Sequence, residues 1–220
     1  VQSLIHIVLA TRNTGKTEEI RDFLKDFSVV IRNLNDFGPI PTIEEDGATF
    51  DENAYKKASL TARYLGIPAL ADDSGLMVEA LGGAPGVHSA RYGGQGASDA
   101  LRCQKLLQTL GDNENRRAAF ECVLSLAVPT GAALTFEGRC EGSIAHAPIG
   151  EKGFGYDPIF YYPPLNRTFA QLSMAEKSRV SHRGRALLEL RSEMDKVLIW
   201  IGQHMPKNEP GGCMGGGTAC

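Results

Sequence analysis

The residues most able to do chemistry are carboxylates set side by side: Asp72-Asp73, after the short apolar run Ala69-Leu70-Ala71, and Glu44-Glu45-Asp46 in a polar loop. Adjacent carboxylates at a strand end repel unless a cation neutralises them. Oxygen-only clusters suit Mg2+, which keeps several waters and is shared between one or two carboxylates and a substrate's phosphates. Taken alone, each cluster reads as a solvated turn; beside an anion-binding loop, the pair reads as a metal site. Such a loop is at hand. Ala10-Thr11-Arg12-Asn13-Thr14-Gly15-Lys16-Thr17 follows a strand-like run and precedes a helical pattern, a relaxed P-loop spelling with Ala in place of the first Gly. Backbone N–H groups at a helix start attract an anion, and Lys16 adds a mobile positive charge. An ordinary strand-to-helix turn is the other reading.

A third group lies late in the chain, where Lys177, His182 and Arg183 accompany Gly153-Phe154-Gly155-Tyr156-Asp157. An aromatic flanked by glycines leaves its ring face open for a purine to stack, while donors beside it read the base edge. Packing of Phe154 in the core, and a helix start with surface charges at Ser181-His182-Arg183, are the plainer alternatives. His6, His88, His146 and His204 have no recognisable spacing and read as structural.

These groups need elements to position them. The run Leu4–Ala10 predicts a strand, and Ile20, Phe23 and Leu24 mark one face of the helix after it. Thr49 and Glu52 have capping-box spacing ahead of Ala54, Ala58, Ala62 and Leu65, which predicts a helix over 51–65 that ends at Gly66 and Pro68. A Gly/Pro-rich loop from Leu81 to Gly96 leads to a helix capped by Ser98 and running to Leu110. Residues 117–128 and 132–142 alternate as an antiparallel hairpin, and Gly150–Asp157 forms a second glycine-rich loop. Ser173 and Glu176 repeat the capping-box spacing, and Leu187, Leu190, Met194, Val197 and Ile201 form an apolar helical stripe. We expect one two-lobed domain over 1–206 and a flexible Gly-rich tail over 207–220.

Composition narrows the classes. A chain of 220 residues, 42% hydrophobic and 22% charged, is a folded soluble protein. Its net charge of -3 gives no bulk attraction to nucleic acid or acidic lipid, so no nucleic-acid polymer and no membrane partner are expected. No apolar stretch approaches the roughly 20 residues that span a bilayer. The odd, widely spaced cysteines Cys103, Cys122, Cys140, Cys213 and Cys220 form no CxxC pair and read as reduced thiols in a cytoplasmic protein.

In combination, Thr11-x-Asn13-x-x-Lys16, Ala71-Asp72-Asp73-Ser74-Gly75-Leu76, Leu81-Gly82-Gly83-Ala84-Pro85-Gly86, Gly153-Phe154-Gly155-Tyr156-Asp157-Pro158 and Glu176-Lys177-Ser178 with Ser181-His182-Arg183-Gly184 resemble the inosine triphosphate pyrophosphatase family, especially its bacterial-type members. The resemblance runs over about 4–203 in the family's order and ends before the tail; Arg12 stands where many members carry a small residue. It implies an α/β, elongated, two-lobed fold around a central mixed sheet, a nucleotide cleft between the lobes, and a homodimer. The implied reaction is Mg2+-dependent hydrolysis of ITP, dITP and XTP to the monophosphate and pyrophosphate, cleansing the nucleotide pool. Substrate would lie against the 11–16 loop (Thr11, Arg12, Asn13, Thr14, Gly15, Lys16), Ser74, Lys177 and the base pocket of Phe154, Gly155, Tyr156, Asp157, His182 and Arg183. Mg2+ would sit on Glu44 and Asp73, with Asp73 the proton acceptor, Lys16 its catalytic partner, and Asp72 and Glu45 in support; the alignment leaves Glu44 and Glu45 open as the ligand. A P-loop kinase or NTPase with Asp72 as its Walker-B aspartate is the rival enzyme, and a catalytically silent nucleotide binder the rival class.

Overall fold

The computed structural model describes residues 4–206. Its frame is a mixed seven-stranded sheet in the order β2-β1-β3-β4-β5-β6-β7. The strands are β1 (Ile5–Leu9), β2 (Val29–Asn33), β3 (Ala69–Val78), β4 (Arg117–Ala127), β5 (Ala133–Ile144), β6 (Phe160–Tyr162) and β7 (Arg167–Thr168). The helices are α1 (Thr14–Leu24), α2 (Phe50–Leu65), α3 (Asp99–Leu110), α4 (Met174–Val180), α5 (His182–Ser192) and α6 (Met194–His204). β1 is parallel to β2 and β3, and the later pairings are antiparallel. Parallel neighbours need a crossover, which α1 and α2 supply.

The long strands β3, β4 and β5 run through the two largest cores. At one end Leu70, Leu124, Leu126 and Phe136 meet Ile20, Leu24, Leu187, Leu190, Met194, Val197 and Ile201 from α1, α5 and α6. At the other, Leu76, Phe120, Cys140 and Ile144 meet Leu106, Phe160 and Phe169. Side chains alternate across a strand, so β4 sends Cys122, Leu124 and Leu126 to the first core and Val123 and Ala127 to α2. The α2 face is built from Ala54, Ala58 and Ala62, small enough for the helix to lie close on Ala69 and Ala71.

The caps fall where the sequence puts them. Ser98 accepts from Leu101 N, and Ser173 with Glu176 forms a full capping box. Thr49 accepts from Glu52 N, but the Glu52 carboxylate turns to Ala48 N at 2.6 Å instead of closing the box. The apolar stripe from Leu187 to Ile201 is carried by two helices, because the chain breaks at Glu193 (φ -102°, ψ 3°). The larger difference is β3: the strand does not stop at Ala71 but continues through Asp72-Asp73-Ser74-Gly75 to Val78, paired with β4 along its whole length.

Cys103, Cys122 and Cys140 are free and buried, and burial pushes their thiols up to about 11, 12 and 11. Cys213, Cys220 and the expected tail over 207–220 lie outside the described residues. No helix among the described residues is long and apolar enough to cross a membrane.

Candidate active site

Because Asp72 and Asp73 are consecutive on a strand, their carboxylates leave opposite faces of the sheet. The mutual repulsion expected of them is therefore relieved by geometry, and each has its own cations. Asp72 faces α1 and α5: Lys16 Nζ donates to both its oxygens at 2.8 and 2.7 Å, and Arg183 Nη2 donates at 3.1 Å. Asp73 faces α2, where Asn53 Nδ2 donates at 3.2 Å and Lys57 Nζ at 3.1 Å.

Their environments push them apart. Burial raises both carboxyls. At Asp72 the charges of Lys16, Arg183 and Lys57 outweigh it and hold the group far below the carboxylate range. At Asp73 burial wins over Lys57, and the pKa is raised. Opposite shifts in neighbouring carboxyls separate a fixed counter-ion from a group able to take a proton.

Lys57 was invisible as a functional residue in the sequence. Its ammonium, 13% exposed, bridges Glu45 Oε1 at 2.9 Å, Asp73 Oδ1 and the Asp72 carbonyl at 2.6 Å. Glu45 is thereby the glutamate gathered to Asp73. Glu44 is exposed and makes no ion pair among the described residues. The acidic loop is tied down from α2 as well, with Gly47 N on Asn53 Oδ1 at 2.8 Å and Lys56 on Asp46 at 2.5 Å.

The first loop builds a helix cap. Asn13 Oδ1 accepts from Lys16 N at 3.0 Å, and Asn13 N donates to Thr11 Oγ1 at 3.1 Å. Thr14 and Gly15 are exposed in the first turn of α1. The Arg12 guanidinium turns away, donating to Leu34 O at 3.1 Å. Of this loop only Lys16 lines the cleft that holds Asp72 and Asp73.

Opposite lies the aromatic loop. Phe154 is 53% exposed, so it is not a core residue. Lys177 Nζ stands 4.5 Å from its ring centre, and the Arg183 guanidinium carbon 5.8 Å. Gly153 has φ +77°, and a Cβ there would strike the Asp157 carboxylate, which accepts Phe154 N at 2.9 Å and also binds Lys177. Burial raises the Asp157 pKa against the pull of Lys177. Tyr156 is buried, its hydroxyl donating to Ser89 O at 2.9 Å. His182 and Arg183 open α5, which lies tightly on β5 because Gly138 leaves room for the His182 carbonyl. His182 stacks on Phe120 at 4.6 Å and is kept neutral by burial, reinforced by Arg183 and Lys177. Arg183 binds Asp72, Ser74 Oγ at 3.5 Å and Glu19 at 3.9 Å, and its Nε has no partner among the described residues.

One cleft of about 280 Å3 is lined by Lys16, Glu45, Lys57, Asp72, Asp73 and Ser74 together with Phe154, Gly155, Tyr156, Asp157, Lys177, His182 and Arg183. It gathers most of the expected residues and leaves out Thr11, Arg12, Asn13, Thr14, Gly15 and Glu44. Ser89, Asp99 and Arg102 also line it without having been read from the sequence. Each of the cleft's lysines carries an aspartate: Lys16 with Asp72, Lys57 with Asp73, Lys177 with Asp157.

The profile of the Ham1 family matches residues 7–193. The chain is 65% identical over 195 residues to a dITP/XTP pyrophosphatase of Syntrophobacter fumaroxidans, covering 89% of this chain and 84% of the relative. It is 57% identical to a dITP/XTP pyrophosphatase of Desulfotalea psychrophila, covering 93% and 92%. Among solved structures, the HAM1 protein of Coxiella burnetii superposes with a TM-score of 0.84 at 46% identity, covering 87% of this chain and 99% of that one.

Proposed function

Because the chain belongs to the Ham1 family, we propose that it hydrolyses ITP, dITP and XTP to the monophosphate and pyrophosphate, with the triphosphate along the Lys16–Asp73 side of the cleft and the base at Phe154. The observation that carries this reading is the joint lining of one cleft by the Glu45–Lys57–Asp73 cluster and the exposed Phe154 ring. A silent binder has no use for the first, and a P-loop enzyme no use for the second.

The donor set fits Mg2+. Glu45 and Asp73 are hard oxygen ligands joined through one ammonium, and Mg2+ prefers few carboxylates with water and phosphate completing its shell. Glu45 is preferred to Glu44 as the ligand because Lys57 already holds it beside Asp73. Bound there, Mg2+ would draw charge off the phosphoryl oxygens. Asp73, its pKa raised, takes the proton of the attacking water. Lys16, Lys57 and Lys177 are the cations that meet charge developing on the leaving pyrophosphate. Asp72 holds Lys16 and Arg183 in place. The reading also takes the enzyme to be a cytoplasmic homodimer, the reduced buried thiols supporting the compartment.

Base choice follows from hydrogen-bond polarity. The groups beside Phe154 left to read the base edge are the Arg183 guanidinium N–H groups, which can only donate, the Asp157 carboxylate there being taken by Phe154 N and Lys177. A 6-oxo purine offers them an acceptor, whereas the 6-amino group of adenine meets donor with donor and leaves buried groups unpaired. With Mg2+ present, kcat/KM for ITP is expected to exceed that for ATP by roughly a hundredfold or more. Equal values in a product-resolved nucleotide panel would contradict the reading.

A further inference from the structure

Several contacts converge on the first turn of α3. Asp99 Oδ2 accepts the Gly155 N–H at 2.6 Å, and its other oxygen binds Arg102. Arg102 Nη1 donates in turn to Ala90 O at 2.6 Å. Cys103 Sγ, one turn along α3, donates to Gly155 O at 3.4 Å. Both backbone polar groups of Gly155 therefore end on one helix.

Within the loop, Asp157 Oδ2 accepts Phe154 N at 2.9 Å and Asp157 N donates to Phe154 O at 3.3 Å, and the α3 bonds add a hold on the next peptide, at Gly155. Phe154 lies between Gly153 at φ +77° and Gly155 at φ +63°, conformations natural to glycine and easily left by it. The direction of an exposed ring depends on those torsions. Asp99 is suited to fixing them: burial raises its carboxyl, but the Gly155 N–H and Arg102 outweigh that and keep it ionised, and hydrogen bonds to a charged acceptor are the strong kind.

We propose that Asp99 is a positioning residue for base recognition, holding the Phe154 loop through Gly155 in the orientation that receives the purine. The proposal rests on the nucleotide reading above. The competing account is that Asp99 only favours the N-terminus of α3 as a first-turn acid, in which case its loss would affect stability and every ligand alike.

Calorimetric titration of the full chain with inosine monophosphate and with inorganic pyrophosphate, in Mg2+, separates these accounts. Asp99→Ala is expected to weaken inosine monophosphate about tenfold and pyrophosphate by less than about twofold. Asp99→Asn, which still offers an oxygen to Gly155 N, should regain most of the loss. Should the alanine variant not fold, Asp99→Ser, whose hydroxyl stops one bond short, makes the same comparison. Unchanged nucleotide affinity, equal weakening of both ligands, or an Asn variant no better than Ala would overturn the proposal. A wild-type chain that neither binds inosine monophosphate nor turns over ITP would overturn the pyrophosphatase reading itself, and this one with it.

Discussion

Asp73→Asn is expected to lower ITP turnover by about a thousandfold, within the range for removing a general base, while the thermal midpoint stays near wild type. The exchange is nearly isosteric. Asn53 can still donate to the remaining oxygen, and Lys57 keeps Glu45 and the Asp72 carbonyl as partners. What is lost is the charge and the site that takes the proton. Steady-state kinetics with a parallel melt checks this, and a variant keeping a tenth or more of wild-type kcat would remove Asp73 from the role.

The neighbouring substitution should fail in a different way. Asp72→Ala strands Arg183, which is 6% exposed, leaving it, among the described residues, Ser74 at 3.5 Å and the distant Glu19. Breaking a buried pair by removing one partner costs about 3–5 kcal/mol, because the other charge stays buried. A drop of that size in urea unfolding free energy is expected at neutral pH. The sign of the pH dependence follows from the depressed pKa: the Asp72 contribution is complete above its ordinary value of 3.8 and is lost as pH falls through the lower folded value. The gap between wild type and variant should therefore shrink only in acid below 3.8. A loss under about 1 kcal/mol would show that Arg183 finds another partner.

The contrast explains what the sequence could and could not disclose. Caps at Ser98 and Ser173 and the glycine-flanked Phe154 were readable because their signals are local. β3 was not, since Asp, Ser and Gly are poor strand formers and only pairing with β4, Asp72 opposite Leu124 and Gly75 opposite Glu121, carries the strand through them. The opposite roles of the two aspartates depend on that strand. Asn53 and Lys57 lie four apart on the alanine face of α2, a spacing that acquires meaning only once that face is known to cover Asp73. Arg12 illustrates the converse: adjacency in the 11–16 loop does not fix direction, and its guanidinium donates to Leu34 O and does not line the cleft. Asp99 carries no local signal of a role in the site, because its bond to Gly155 joins residues 56 apart in the chain.

The most direct test of the central claim is where the water's oxygen goes. With Asp73 activating water beside the triphosphate, attack falls on the α-phosphorus and pyrophosphate leaves. Hydrolysis of ITP in 18O-labelled water should place one heavy oxygen in inosine monophosphate and none in pyrophosphate, read by mass spectrometry of both products. A P-loop NTPase attacks the γ-phosphorus instead. Labelled orthophosphate as the first product, with inosine diphosphate left behind and no pyrophosphate formed during turnover, would contradict the account.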